Sequence, residues 1–376
     1  MKRRIVLSLF VLAALVASGC AEAQKYTAEE LQLRKEIGQL LIVGIRGTEI
    51  SDTSHIVRDI TEYNVGGVIL FEYDVPSRSR PRNITSRDQL KKLCADLQRR
   101  AGGRLLIGID QEGGMVSRLK QNYGFPEFPS AKKSASEGDK SVREAARLTA
   151  ATLASLNINL DFAPCVDVDI NPDCPVIGKL ERSFSGDAKR VARCGAIWVE
   201  ELQKKGVVAC LKHFPGHGSS KNDTHLGVAD VSDTWKSSEL EPYKTLIADG
   251  DVAMIMTTHV FNAHFDSVYP ATLSYKTLTG LLRDSLHYDG VIVTDDMAMG
   301  AMTQQYNLEE ALTLTLLAGA DMLCLSNNGA EYNADIVPQV VDMLFSKVKE
   351  GVIPAERIHD SYGRIQRMKK AFGIGD

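Results

Sequence analysis

Residues 207–218 read Val-Val-Ala-Cys-Leu-Lys-His-Phe-Pro-Gly-His-Gly. Five apolar residues, 207–211, end on Lys212 and His213, and Pro215, Gly216 and Gly218 then bar a helix. An amphipathic stretch at 188–204 precedes them. This unit of helix, short apolar run and polar loop recurs along the chain. The apolar runs lie at 40–45, 67–71, 105–109, 158–168, 207–211, 252–257, 291–294 and 322–325. Helix-patterned segments accompany them at 86–100, 140–154, 188–204, 239–248, 277–286, 308–317, 332–349 and 355–372. Short unbroken apolar runs alternating with helices imply parallel strands buried on both faces. Eight such units predict an α/β fold, a single (β/α)8 TIM barrel over residues 24–376. A doubly wound sheet would require a Gly-rich phosphate loop after the first strand. Gly44-Ile45-Arg46-Gly47 does not supply one.

In such a barrel the functional pocket forms where the strands end. Ionisable residues collect there: Asp110 and Glu112, Asp167 and Asp169, Lys212 and His213, His259, and Asp295-Asp296. Carboxylates so placed suit acid/base or nucleophilic chemistry, while Lys212, Arg118 and Arg182 suit hydroxyls or an anionic group. The loop after 207–211 carries Asp223-Thr224-His225. In an extended loop, residues two apart share a side. Asp223 can then bind one ring nitrogen of His225 and leave the other free to pass a proton. The plain alternative is a solvated loop. His213, His217, Asp223 and His225 form the one conceivable metal set, but no acidic coordinating pattern accompanies them; no metal or cofactor is predicted.

The amino terminus is a separate signal. Lys2, Arg3 and Arg4 precede an apolar run at 5–16, and Ala17-Ser18-Gly19-Cys20 follows. That pattern predicts a cleaved leader, residues 1–23, and an extracytoplasmic location. Ala-Ser-Gly-Cys has the form of a bacterial lipobox, which would attach lipid to Cys20 and anchor the chain to a membrane. Ala21-Glu22-Ala23 offers ordinary cleavage instead. Counted from Cys20 onward, 41 basic residues face 48 acidic ones, a net charge of −7. No basic cluster offsets it, so nucleic acid is excluded as a partner. Cys165 and Cys174 flank a loop and are the candidate disulfide; Cys94, Cys194, Cys210 and Cys324 sit in apolar runs as expected free thiols.

The run Lys212-His213-Phe214-Pro215-Gly216-His217-Gly218 with its trailing Asp223-Thr224-His225 resembles the N-acetyl-β-glucosaminidase branch of glycoside hydrolase family 3. Other matching elements fall in the same order. They include Gly66-Gly67-Val68-Ile69-Leu70-Phe71, Asp110-Gln111-Glu112-Gly113-Gly114, Asp161-Phe162-Ala163-Pro164, Arg182-Ser183-Phe184 and Val293-Thr294-Asp295-Asp296-Met297. The resemblance implies a retaining mechanism with Asp295 as nucleophile and His225, oriented by Asp223, as acid/base. It implies that Asp110, Arg118, Arg182, Lys212 and His213 hold the hydroxyls of a terminal β-linked N-acetylhexosamine. Peptidoglycan fragments, chito-oligosaccharides and host glycans are the implied carbohydrates. Asp296 is expected to cap the following turn or bind backbone, and His217 and His259 to be structural. Two positions depart from the family: Met115 stands where it usually has Arg, and Thr224 where it usually has Ser. The rivals are a phosphorylase, a β-glucosidase or β-xylosidase of the same fold, and a non-catalytic glycan-binding lipoprotein.

Overall fold

A computed structural model describes residues 26–375. The expected leader and Cys20 lie outside that range. Among the described residues no helix is long and apolar enough to cross a membrane.

Eight parallel strands form one sheet: β1 (Leu41–Gly44), β2 (Gly67–Leu70), β3 (Leu106–Ile109), β4 (Leu160–Asp161), β5 (Val208–Phe214), β6 (Met254–Thr257), β7 (Val291–Val293) and β8 (Leu323–Leu325). They pair in chain order, with β8 joined to β1. A parallel bridge between Val293 and Met322 brings β7 to the start of β8 and closes the cylinder. Every strand residue of β1, β2, β3, β6 and β8 is buried, as two covered faces require.

The helices between strands begin and end on local signals. Ser86 accepts the Gln89 N–H at 3.2 Å to start Arg87–Ala101, and Gly102 at φ 59° ends it in the left-handed region that favours glycine. Asn307 caps Leu308–Ala318 in the same way.

The structure revises several boundaries. The run at 158–168 yields a strand only at Leu160–Asp161. Pro164 has no N–H to continue the ladder, and pairing resumes as a single bridge between Cys165 and Lys212. Conversely, β5 runs past Leu211 to Phe214, and its register against β6 slips between Leu211 and Phe214. The stretch at 277–286 is a widened π-type helix, Lys276–Ser285. A further helix, Ala28–Gln39, packs against the carboxy-terminal helices Ile336–Lys349 and Ala355–Ala371. Cys165 and Cys174 are free and buried. Their thiols turn apart, one to the Asp167 carboxylate and one to the His217 carbonyl.

Candidate active site

Asp110 follows directly on β3, and the chain then folds into a hairpin of Gln111–Gly113 and Val116–Ser117. The hairpin tip needs glycine. Gly113 has φ 93°, and a Cβ there would lie 2.1 Å from the Pro129 carbonyl. The Gln111 amide locks the hairpin, bonding Ser117 Oγ at 2.8 Å and the backbone N–H groups of Arg118 and Leu119. Asp110 and Arg118 thereby meet, their side chains 3.3 Å apart.

The register slip in β5 lets both Lys212 and His213 line the cavity instead of alternating. Lys212 Nζ donates to Asp110 Oδ1 at 2.8 Å and contacts Glu112 Oε1 at 2.7 Å. Arg182 grips Glu112 through two bonds, 2.9 and 2.8 Å. Burial acts to raise both carboxyls, but the cations outweigh it. Lys212 and Arg118 hold Asp110 well below the usual carboxylate range. Arg182 and Lys212 hold Glu112 at about 2. The result is a buried, fully ionised lattice, a rigid set of donors and acceptors suited to sugar hydroxyls.

Arg182 Nη2 lies 3.1 Å from His213 Nε2. A guanidinium can only donate, so Nε2 accepts and the ring proton sits on Nδ1. Nδ1 then donates to Asp167 Oδ2 at 2.6 Å. The other Asp167 oxygen accepts the His217 N–H at 2.8 Å. Cys165, Asp167 and His213 are the three potential metal ligands that lie together among the described residues. Their shortest pair is a direct hydrogen bond, too close for an ion to sit between. His213 bonds Asp167, His217 bonds Thr224 and His225 bonds Asp223, so the four residues considered from sequence do not meet around one point.

On the opposite wall, Asp223 Oδ1 accepts both the backbone N–H and the Nδ1–H of His225, each at 2.8 Å. A carboxylate cannot donate in return, so His225 Nε2 is the nitrogen left for a ligand. Asp295 follows β7 and accepts the Asp296 N–H at 2.8 Å. Burial acts to raise its carboxyl, but the polar groups around it, that N–H among them, hold it below its usual value. Asp296 instead takes the Ser326 N–H and hydroxyl and the Ala298 N–H. That is the backbone-binding role expected of it. His259 is buried between the Thr272 hydroxyl and the Asp296 carbonyl.

Asp110, Arg118, Arg182, Lys212, His213, Asp223, His225 and Asp295 all line one cavity of about 690 Å³. Sequence reasoning placed Glu112 and Asp167 at strand ends but assigned them no part. It missed Glu72, which pairs with Lys120 at 3.0 Å. It named Asp161 only within Asp161-Phe162-Ala163-Pro164 and gave it no part; burial pushes its carboxyl far up despite a bond from the Gln111 N–H.

Glu239 lies wholly buried against the loop that follows β5, where a Cβ at Gly216 would come within 2.7 Å of its own Cβ. Burial pushes the Glu239 carboxyl from 4.5 up to about 7. An acid raised in the native state adds stability that is complete below its unfolded pKa and is lost as pH rises through the native one. The loss here runs from pH 4.5 to about 7. Urea denaturation should show Glu239→Gln gaining on the wild type across that window, by about 3 kcal/mol at pH 8 from 1.36 kcal/mol per pKa unit. Parallel curves for the two proteins would count against this assignment.

The description "Glycosyl hydrolase family 3 N terminal domain" fits residues 32–368. The chain is 33% identical over 329 residues to "Beta-hexosaminidase A" of Pseudoalteromonas piscicida, covering 82% of this chain and 54% of that protein. It is 33% identical over 366 residues to "Beta-hexosaminidase LpqI" of Mycobacterium tuberculosis, covering 94% and 87%. The solved family 3 β-N-acetylglucosaminidase of Paenibacillus sp. str. FPU-7 superposes with a TM-score of 0.82 at 37% identity, over 92% of this chain and 63% of that one. The chain thus spans about half of one such relative and most of another.

Proposed function

The chain belongs to glycosyl hydrolase family 3, and on that premise we propose that it removes a terminal β-linked N-acetylhexosamine from a glycan with retention of configuration. The observation that carries this reading is the Asp223–His225 pair, bonded at 2.8 Å, on the wall of the cavity that also holds Asp295. Asp295 attacks the anomeric carbon as His225 Nε2–H gives its proton to the departing oxygen. His225 then takes a proton from water, which attacks the same carbon and releases Asp295. Asp223 fixes the ring tautomer and stabilises the imidazolium that gives its proton in the first step and forms again in the second. Asp110, Arg118, Arg182, Lys212 and His213 orient the sugar.

Release of nitrophenol from the β-N-acetylglucosaminide and the β-glucoside tests this reading. The expected preference for the first is at least about 100-fold in kcat/KM, the scale on which a site matched to a polar substituent discriminates. Preference for the glucoside would remove the N-acetyl assignment. Sugar 1-phosphate formed in phosphate buffer would replace hydrolysis by phosphorolysis.

The reading extends to location. The protein is exported, and lipid on Cys20 of Ala17-Ser18-Gly19-Cys20 holds it at a membrane, where peptidoglycan fragments, chito-oligosaccharides or host glycans are the accessible carbohydrates. Labelled fatty acid should enter the wild type and not Cys20→Ser. Equal labelling of both would remove the anchor.

A further inference from the structure

The segment that presents the acid/base pair lies mostly at the surface, where the Gln304 side chain donates to the Leu226 carbonyl at 2.9 Å. From Lys221 to Val228 the one buried residue is Thr224. It is 2% exposed, between an Asp223 side chain at 27% and a His225 side chain at 65%. Two anchors fix it. Its carbonyl accepts the Ala301 N–H at 3.0 Å, from the short helix that follows Asp295. Its hydroxyl meets His217 Nε2 at 3.2 Å.

His217 is itself buried, and its Nδ1 has no hydrogen-bond partner. Beside the ring's edge-to-face contact with the His213 ring, the Thr224 hydroxyl makes the one hydrogen bond recorded for it from another residue among the described residues. Burial and the nearby His213 bring the His217 imidazole down to about 4, so it is neutral at physiological pH and can form an uncharged bond. The His217 backbone hangs from Asp167, which also binds His213.

We propose that His217 and Thr224 are positioning residues: an Asp167–His217–Thr224 strut that ties the proton-transfer pair to the sugar-holding lattice. Neither side chain touches the substrate. Their part is to hold the backbone between Asp223 and His225 so that Nε2 stays aimed at the glycosidic oxygen. This inference rests on the hydrolase reading above.

Thr224→Val keeps the buried shape and removes the hydroxyl; Thr224→Ser keeps the hydroxyl. Each, with His217→Gln as a second break in the strut, is compared with the wild type on two β-N-acetylglucosaminides. The 2,4-dinitrophenyl glycoside leaves without a proton, whereas the phenyl glycoside needs one. Positioned general acid catalysis contributes about 10²–10⁴-fold. Loosening it should therefore lower kcat/KM for the phenyl glycoside by about 10–100-fold in Thr224→Val and His217→Gln. The dinitrophenyl value should stay within about threefold, since it draws little on that same term. Azide, a nucleophile that needs no base, should accelerate turnover of the dinitrophenyl glycoside in those two variants. Thr224→Ser should behave as wild type. Equal losses on both substrates, or none on either, with an active wild type, would overturn the strut. A wild type inactive on both would sink the hydrolase reading instead, and the strut with it.

Discussion

Asp295→Gly is expected to lower kcat on the β-N-acetylglucosaminide by on the order of 10⁴–10⁶-fold, the range over which removal of one member of a nucleophilic catalytic set falls. The physical case rests on charge and place. Asp295 is ionised at neutral pH because the polar groups around it, the Asp296 N–H among them, more than offset its burial. Its neighbour cannot replace it. Asp296 is committed to Ser326 and Ala298, and burial raises its carboxyl rather than lowering it. The fold should be indifferent to the change, since the one hydrogen bond recorded for the Asp295 carboxylate is from the next residue in the chain. Steady-state kinetics beside a thermal melt would separate the two. Residual activity within tenfold of wild type would move the nucleophile elsewhere in the cavity.

Glu112→Gln should produce the largest loss of stability, about 3–5 kcal/mol, the scale for breaking a buried ion pair. Glu112 neutralises two cations that have almost no contact with water, Arg182 and Lys212. An amide can hold the shape but not the charge. The pH dependence gives the same prediction a second reading. Glu112 is depressed from 4.5 to about 2, so its contribution is complete above pH 4.5 and is lost as pH falls through about 2. The gap between wild type and variant in guanidinium titrations should therefore narrow as pH falls below 4.5. A loss under 1 kcal/mol at pH 7 would mean that other groups compensate the two cations, against what buried-pair energetics leads one to expect. The KM should rise as well, because Arg182 also fixes the proton of His213 through the 3.1 Å contact.

Much of this architecture could be read in advance because its signals are local. The apolar runs mark strands since a strand buried on both faces admits few polar side chains. The Asp223–His225 pair could be read because its members lie two apart, but the extended loop expected there is a turn closed by the Leu226 N–H on the Asp223 carbonyl at 3.0 Å, and Asp223 reaches the His225 ring within it. The helix Ala28–Gln39 was not legible. Its buried face includes Arg34, Glu36 and Gln39, which are satisfied by Asp342, His359 and Gln366, all more than 300 residues away. No apolar periodicity betrays such a face.

The amino-acid sequence by itself determined the order of strands and helices, the collection of ionisable groups at strand ends, and the spacing of Asp223 and His225. Each depends on neighbours within a few residues. Only the tertiary structure decided which ionisable groups pair and which way their protons point. Arg182 finds Glu112 across 70 residues, Lys212 finds Asp110 across 102, and His213 finds Asp167 across 46. Those partners meet because closing the barrel brings the ends of β3, β4 and β5 together. Once they are buried in a medium of low dielectric, distance and geometry, not residue type, set their charge.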